Sequence, residues 1–165
     1  YVQIPPRDIV RRIGQGTRRM PKPLLPQANH LPFHDTIHVT VYATGQTDPA
    51  TGAWERLPLE RIPIGSHLDR PGLLVVQMES TSMEPIIRRK AYVGIDSQDC
   101  ALRDDEIYAF DIAKEGLTLR RVRREPGNGV LSLQAENPLH PAQRFASDAA
   151  GLTPIGKVVW VIQEI

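Results

Sequence analysis

The segment Ser80-Thr81-Ser82-Met83-Glu84-Pro85 ends an apolar run on a serine, and Pro85 then fixes the turn that follows. A serine held there could serve as a nucleophile, but a hydroxyl alone is a poor one and needs an adjacent base. The bland reading of the same residues is a turn or a helix cap, the commoner role of a serine-rich strand end.

Few residues could supply that base. Only Lys22, Lys90, Lys114 and Lys157 are lysines. The remaining basic residues are arginines, whose pKa above about 12 and lack of an acceptor lone pair prevent them from taking a proton. Lys90 falls in a turn where it is solvated and charged, Lys114 in a hairpin loop, and Lys157 in the terminal strand. Among the five histidines, His34 and His38 have metal-ligand spacing only on a helix, yet Pro32 interrupts the cluster with His30 and His38 reads as strand. No metal and no cofactor is assigned, and nothing specific favours a Ser–His pair. The run Arg120-Arg121-Val122-Arg123-Arg124 could be a basic patch for nucleic acid or an acidic partner. On a strand, however, its side chains divide between two surfaces, which favours a solvated strand edge.

The elements that must position Ser82 are short and β-like. Ile37 to Ala43 alternates apolar and polar residues with the period of a half-buried strand. Gly45 to Gly52 is rich in turn residues and reads as a mobile loop. Leu57 to Ile64 contains Pro58 and Pro63 and suits at best a sheet edge. Leu73 to Met78 reads as a buried strand. Tyr92 to Ile95, Ile107 to Ile112, Leu117 to Val122, Val130 to Leu133 and Gly156 to Ile162 follow as strands. Ala113-Lys114-Glu115-Gly116 closes a hairpin between Ile107–Ile112 and Leu117–Val122. The fold class is mostly β. Ahead of it, Arg7 to Ile13 suits a short helix, with Pro6 in its first turn and Gly14 at its end. Gly14 to Phe33, rich in proline and basic residues, reads as an extended linker.

Composition sets outer limits. A chain of 165 residues, 41% hydrophobic and 24% charged, suits one globular domain with a tail. A net charge of +1 provides no overall field toward nucleic acid or membrane. Cys100 is the lone cysteine, so no intrachain disulfide can form, and a cytoplasmic location is expected. No apolar stretch approaches the roughly 20 residues of a membrane helix, and no signal peptide is visible. The chain starts at Tyr1 and is read as a fragment lacking an N-terminal part.

Residues Val76 to Asp96 resemble the core motif of the LexA and phage CI repressor family, whose C-terminal domains are Ser–Lys autoproteases. Further matches follow in family order: Glu106-Ile107-Tyr108, Leu117 to Arg121, Ala135-Glu136-Asn137-Pro138 with His140-Pro141, and Ile155-Gly156-Lys157-Val158-Val159-Trp160. The resemblance covers roughly Ile37 to Ile165. It implies a LexA-like, signal-peptidase-like β-fold, with residues 1–33 a linker and possible end of a missing DNA-binding domain, and residues 34–165 the C-terminal domain. Ser82 then occupies the nucleophile position and Arg120 the position of the family lysine, directed toward Ser82.

Three departures set this chain apart. Arginine cannot become the neutral base that a desolvated lysine can. Lys90-Ala91 stands where the family usually has Gly-Asp, and upstream of Ser82, where the family is cut, no Ala-Gly or Cys-Gly dipeptide occurs, although Ala43-Thr44-Gly45 and Ala50-Thr51-Gly52 do. The resemblance therefore implies the dimerisation or oligomerisation domain of a phage or prophage CI-like transcriptional repressor that has lost self-cleavage. Its partners would be a second copy of itself, operator DNA through a missing helix-turn-helix domain, and RecA or an antirepressor. Val158, Trp160 and Ile162 in the apolar terminal strand are the expected oligomer interface. Two alternatives stay open: an active autoprotease with Ser82 as nucleophile, and a pocket around Ser82 and Arg120 that binds an antirepressor or an inducing peptide.

Overall fold

Residues 35–165, those that this computed structural model describes, form nine strands. In chain order they are β1 (Thr36–Ala43), β2 (Pro58–Gly65), β3 (Leu73–Gln77), β4 (Tyr92–Asp96) and β5 (Ile107–Ile112). β6 (Gly116–Arg124), β7 (Val130–Gln134), β8 (Gln143–Ala146) and β9 (Leu152–Ile162) complete them. A 3-10 turn at Ser66–Leu68 is the helical element among the described residues. No helix there is long and apolar enough to cross a membrane. The expected helix Arg7 to Ile13, the linker, His30 and His34 lie outside the described residues.

The strands make one sheet in the order β2-β1-β3-β4-β9-β5-β6-β7-β8. Every neighbouring pair is antiparallel except β1 with β3. Strand β9 joins the two halves: Lys157 is paired with Asp96 of β4 on one side and Tyr108 of β5 on the other. The sheet buries two separate cores, and β5 contributes to both. Its Ala109 faces a core with Val76, Met83, Ile87, Val93, Ile95 and Leu119, while Tyr108, Phe110 and Ile112 face another with Val122, Leu131 and Leu133. Alternation along one strand thus stitches the halves together, because side chains at i and i+1 leave opposite faces.

The proline-broken stretch forms β2, the outermost strand, where Pro58 sits beside a register shift opposite Tyr42. A missing backbone donor costs least at such an edge. Sequence alternation missed β8, the opposite edge: Gln143-Arg144-Phe145-Ala146 carries one large apolar side chain, Phe145, which packs against the second core. The loop Gly45 to Gly52, expected to be mobile, is hydrogen-bonded at several points. Asp48 and Gly52 close a turn, Gly52 O accepts from Lys114 N, and the Trp54 amide donates to the Asp111 carboxylate. Its turn residues were legible; its long-range partners were not.

Register shifts re-aim β9. Opposite Gly94 and Ile95 of β4 stand Trp160 and Val158, so Val159 is the extra residue of a bulge. Val158 and Val161 consequently pack on the first core, whereas Trp160 and Ile162 lie opposite Gly94 and Tyr92 on the other face. Trp160 lies directly over Gly94, where a Cβ would come within 2.2 Å of its ring, and its Nε1 donates to Leu68 O at 3.0 Å.

Gly94→Ala should therefore push the indole off its seat and lower unfolding stability by about 1–3 kcal/mol, the usual cost of overpacking. Urea unfolding followed by tryptophan fluorescence reads this directly. An unchanged midpoint would contradict the packing of Trp160 on Gly94.

Candidate functional site

Ser82 leaves the end of β3 in a turn whose backbone bonds run from Glu84 N to Thr81 O and from Ile87 N to Met83 O. Met83 and Ile87 anchor that turn in the first core, and Ser82 itself is 1% exposed. Its own amide donates to Ser80 Oγ at 3.0 Å. From the other side the Asn137-Pro138 turn clasps the same segment. Asn137 N donates to Ser82 O, and Asn137 Nδ2 to Thr81 O, each at 3.0 Å. Each polar backbone atom of the turn that is satisfied in this way is one fewer reason for the serine to move.

The Arg120 guanidinium reaches Ser82 from β6. Its Nη1 donates to Ser82 Oγ at 2.9 Å and to Leu119 O at 2.8 Å. Arg120 is 8% exposed, and its buried Nε has no hydrogen-bond partner among the described residues. Burial pulls the guanidinium below its ordinary pKa, and the charge of Glu115 partly restores it. Among the described residues Arg120 makes no ion pair within 4.0 Å. The structure thus brings together the two residues that the sequence pairs, with arginine as donor and serine as acceptor. In this direction the bond cannot activate the hydroxyl, because guanidinium has no lone pair to receive its proton.

Among the described residues no other base takes that place. Lys90 sits in a turn at φ 73° and Lys114 in the hairpin loop at φ 70°. Lys157 pairs with Glu106 at 3.4 Å. His140 approaches Thr81 Oγ1 at 3.4 Å and makes no hydrogen bond to Ser82. His38 is exposed on β1. No group of three metal-ligating side chains occurs among the described residues. The rest of the arginine run is engaged with acidic neighbours: Arg121 with Glu136 at 2.5 Å and Arg123 with Asp105 at 2.8 Å. Arg124 donates to Leu102 O and, through its amide, to Asp104.

Ser82 and Arg120 line a cavity of about 300 Å³ whose walls include Met78, Leu117 and Leu119. One rim is the Thr44-Gly45 segment, joined to β6 by Leu117 N donating to Thr44 O at 2.9 Å. Glu79 holds this rim with a single oxygen, Oε2, which accepts from Thr44 N at 2.8 Å, Thr44 Oγ1 at 2.7 Å and Gly45 N at 2.5 Å. Partial burial raises the Glu79 pKa, but those hydrogen bonds outweigh it and leave the carboxyl below its ordinary value. Sequence reading missed Glu79 entirely, since nothing local to a lone carboxylate marks a partner 35 residues away. At the expected oligomer interface, Trp160 and Ile162 share one face of β9 and Val158 faces the core.

Comparison with known proteins gives a family match and a similar regulator. Residues 43–159 match the family described as Peptidase S24-like. Over 159 residues the chain is 22% identical to the HTH-type transcriptional regulator PrtR of Pseudomonas aeruginosa, covering 90% of this chain and 61% of that protein. The chain therefore spans about three fifths of the length of that relative.

Glu79 yields a pH test. Because its folded pKa is depressed, its contribution is complete above the ordinary carboxyl range and is lost as pH falls through the folded value. Glu79→Gln should lose about 0.5–1.5 kcal/mol at neutral pH, the value of a modest hydrogen-bond set on a largely exposed group. That gap should close at an acid pH below the ordinary carboxyl range. A gap of the same size at both pH values, by urea unfolding, would contradict the role given to Glu79.

Proposed function

Since this chain belongs to the Peptidase S24-like family, of the LexA and CI repressor type, we propose that residues 34–165 are the self-associating C-terminal domain of a CI-like transcriptional repressor that does not cleave itself. The observation that carries the second half of this reading is the hydrogen bond from Arg120 Nη1 to Ser82 Oγ at 2.9 Å. The scaffold that presents a nucleophile is intact, while the group meant to accept its proton is a permanent donor. Between Tyr1 and Ser82 no Ala-Gly or Cys-Gly dipeptide occurs, and Ala150-Gly151 lies downstream of the serine, in keeping with this reading.

Self-association is supported by the outer face of the terminal strand. Ile162 is 40% exposed and Ile86 46%, and Gln163 joins their two segments by accepting from Arg88 N and donating to Ile86 O. Trp160 on the same face gives this surface a large aromatic group, with Val158 supporting the strand from the core side. Residues 1–33 would form the linker to a helix-turn-helix head, in keeping with the printed name of the relative. Two heads joined through such a domain would bind paired half-sites with affinity raised by roughly 10²–10⁴ and no new DNA contact. A cytoplasmic location and a phage or prophage origin belong to this reading.

Two measurements test it. Sedimentation of the chain across a wide concentration range should show a dimer or larger species, and Ile162→Asp should shift it toward monomer; a monomer at every concentration would refute self-association. At alkaline pH, where a Ser–Lys pair gains its neutral base, intact protein and Ser82→Ala should give the same band pattern. Fragments that require Ser82 would refute the loss of cleavage.

A further inference from the structure

Arg120 is a cation only 8% exposed, and among the described residues it is paired only with neutral oxygens. Its two hydrogen bonds, to Ser82 Oγ and Leu119 O, both leave from Nη1. Nε is buried without a partner, and Nη2 makes no hydrogen bond among the described residues. Nε has no accessible surface, so Nη2 is the donor left to meet a carboxylate oxygen from the cavity. Removing a charge from water without a counter-ion is costly, and an arriving anion offsets that cost. We infer that the cavity at Ser82 and Arg120 is a receptor for a monocarboxylate carried on a short peptide, with one carboxylate oxygen accepting from Nη2 of Arg120.

The surroundings define the ligand further. A cavity of about 300 Å³ exceeds what a lone ion fills, and Met78, Leu117 and Leu119 give it apolar walls for the group bearing the carboxylate. Two acids also line it. Glu79 is committed to Thr44 and Gly45, whereas Glu115 is exposed and accepts from Gln143 Nε2 at 3.1 Å. Both oppose an incoming anion, which disfavours a phosphate dianion and leaves a single negative charge as the better match. Glu115 acts as a tethered competitor for the charge of Arg120, and its removal should tighten binding. This inference rests on the reading that Ser82 is not a working nucleophile. Binding is measured without any bond being broken, so the two ideas can fail separately.

The test is a titration of the whole chain, followed by amide chemical shifts, with four probes. These are acetyl-Ala-Leu-Ala with a free carboxylate, its C-terminal amide, the amide of acetyl-Ala-Glu-Ala, and inorganic phosphate. At least one carboxylate peptide should bind saturably with shifts centred on Thr118 to Arg120. The acetyl-Ala-Leu-Ala amide should bind at least roughly tenfold more weakly, the loss expected of one charge-assisted hydrogen bond. Preference between the two carboxylate peptides tells a chain terminus from an acidic side chain. Arg120→Gln should abolish the difference between acid and amide, and Glu115→Gln, on an exposed site that leaves the fold intact, should strengthen carboxylate binding. Equal affinity for acid and amide, tighter binding of phosphate, no binding of either carboxylate peptide at millimolar concentration, or weaker binding by Glu115→Gln would each overturn the proposal.

Discussion

A permanent cation held against a buried serine hydroxyl is the constraint around which this domain is organised. Arg120 and Ser82 belong to different strands and turns, and their 2.9 Å contact requires β3, the Ser82 turn and β6 to keep their relative positions. The surrounding contacts are consistent with that demand. Met83 and Ile87 fix the turn from below, Asn137 fixes it from the side, and Glu79 ties the Thr44-Gly45 rim to the end of β3. A lysine in the place of Arg120 would be a compact point charge that burial could neutralise. Guanidinium stays charged, so the same geometry stores an unsatisfied donor, Nε, in place of a base.

The two cores explain how so small a sheet supports such a site. Strand β5 contributes Ala109 to one core and Phe110 to the other, and β9 pairs with both halves of the sheet. The hairpin of β5 and β6 is therefore clamped from two sides, and Arg120 projects from a strand with little freedom to adjust. The bulge at Val159 has a separate consequence: it turns Val158 inward and leaves Trp160 and Ile162 on the outer face.

Much of this architecture was legible in the residues. Strict alternation located β1 and a continuous apolar run located β3, because burial on one or two faces writes those patterns directly, and the Ala113-Lys114-Glu115-Gly116 turn located the β5–β6 hairpin. The order of short motifs placed Ser82 and Arg120 at one site, which composition and periodicity could not do. What escaped depended on long-range partners. β8 carries a single large apolar residue, and the Gly45 to Gly52 loop is held by Lys114 and Asp111. Glu79 acts on a rim 35 residues away. The inward turn of Val158 follows from one extra residue in a strand whose apolar run gives no hint of a register shift.

The central claim is that Ser82 is held but not activated. Self-cleavage requires a nucleophile and also a scissile bond within reach, whereas reaction with a small serine-directed electrophile requires the nucleophile alone. Intact-mass measurement of the protein after exposure to a fluorophosphonate, from neutral to alkaline pH, therefore isolates the role of Arg120. The account predicts no adduct on Ser82 at any pH in that range, since guanidinium remains protonated throughout. An adduct that maps to Ser82, grows with pH and disappears in Ser82→Ala would contradict it.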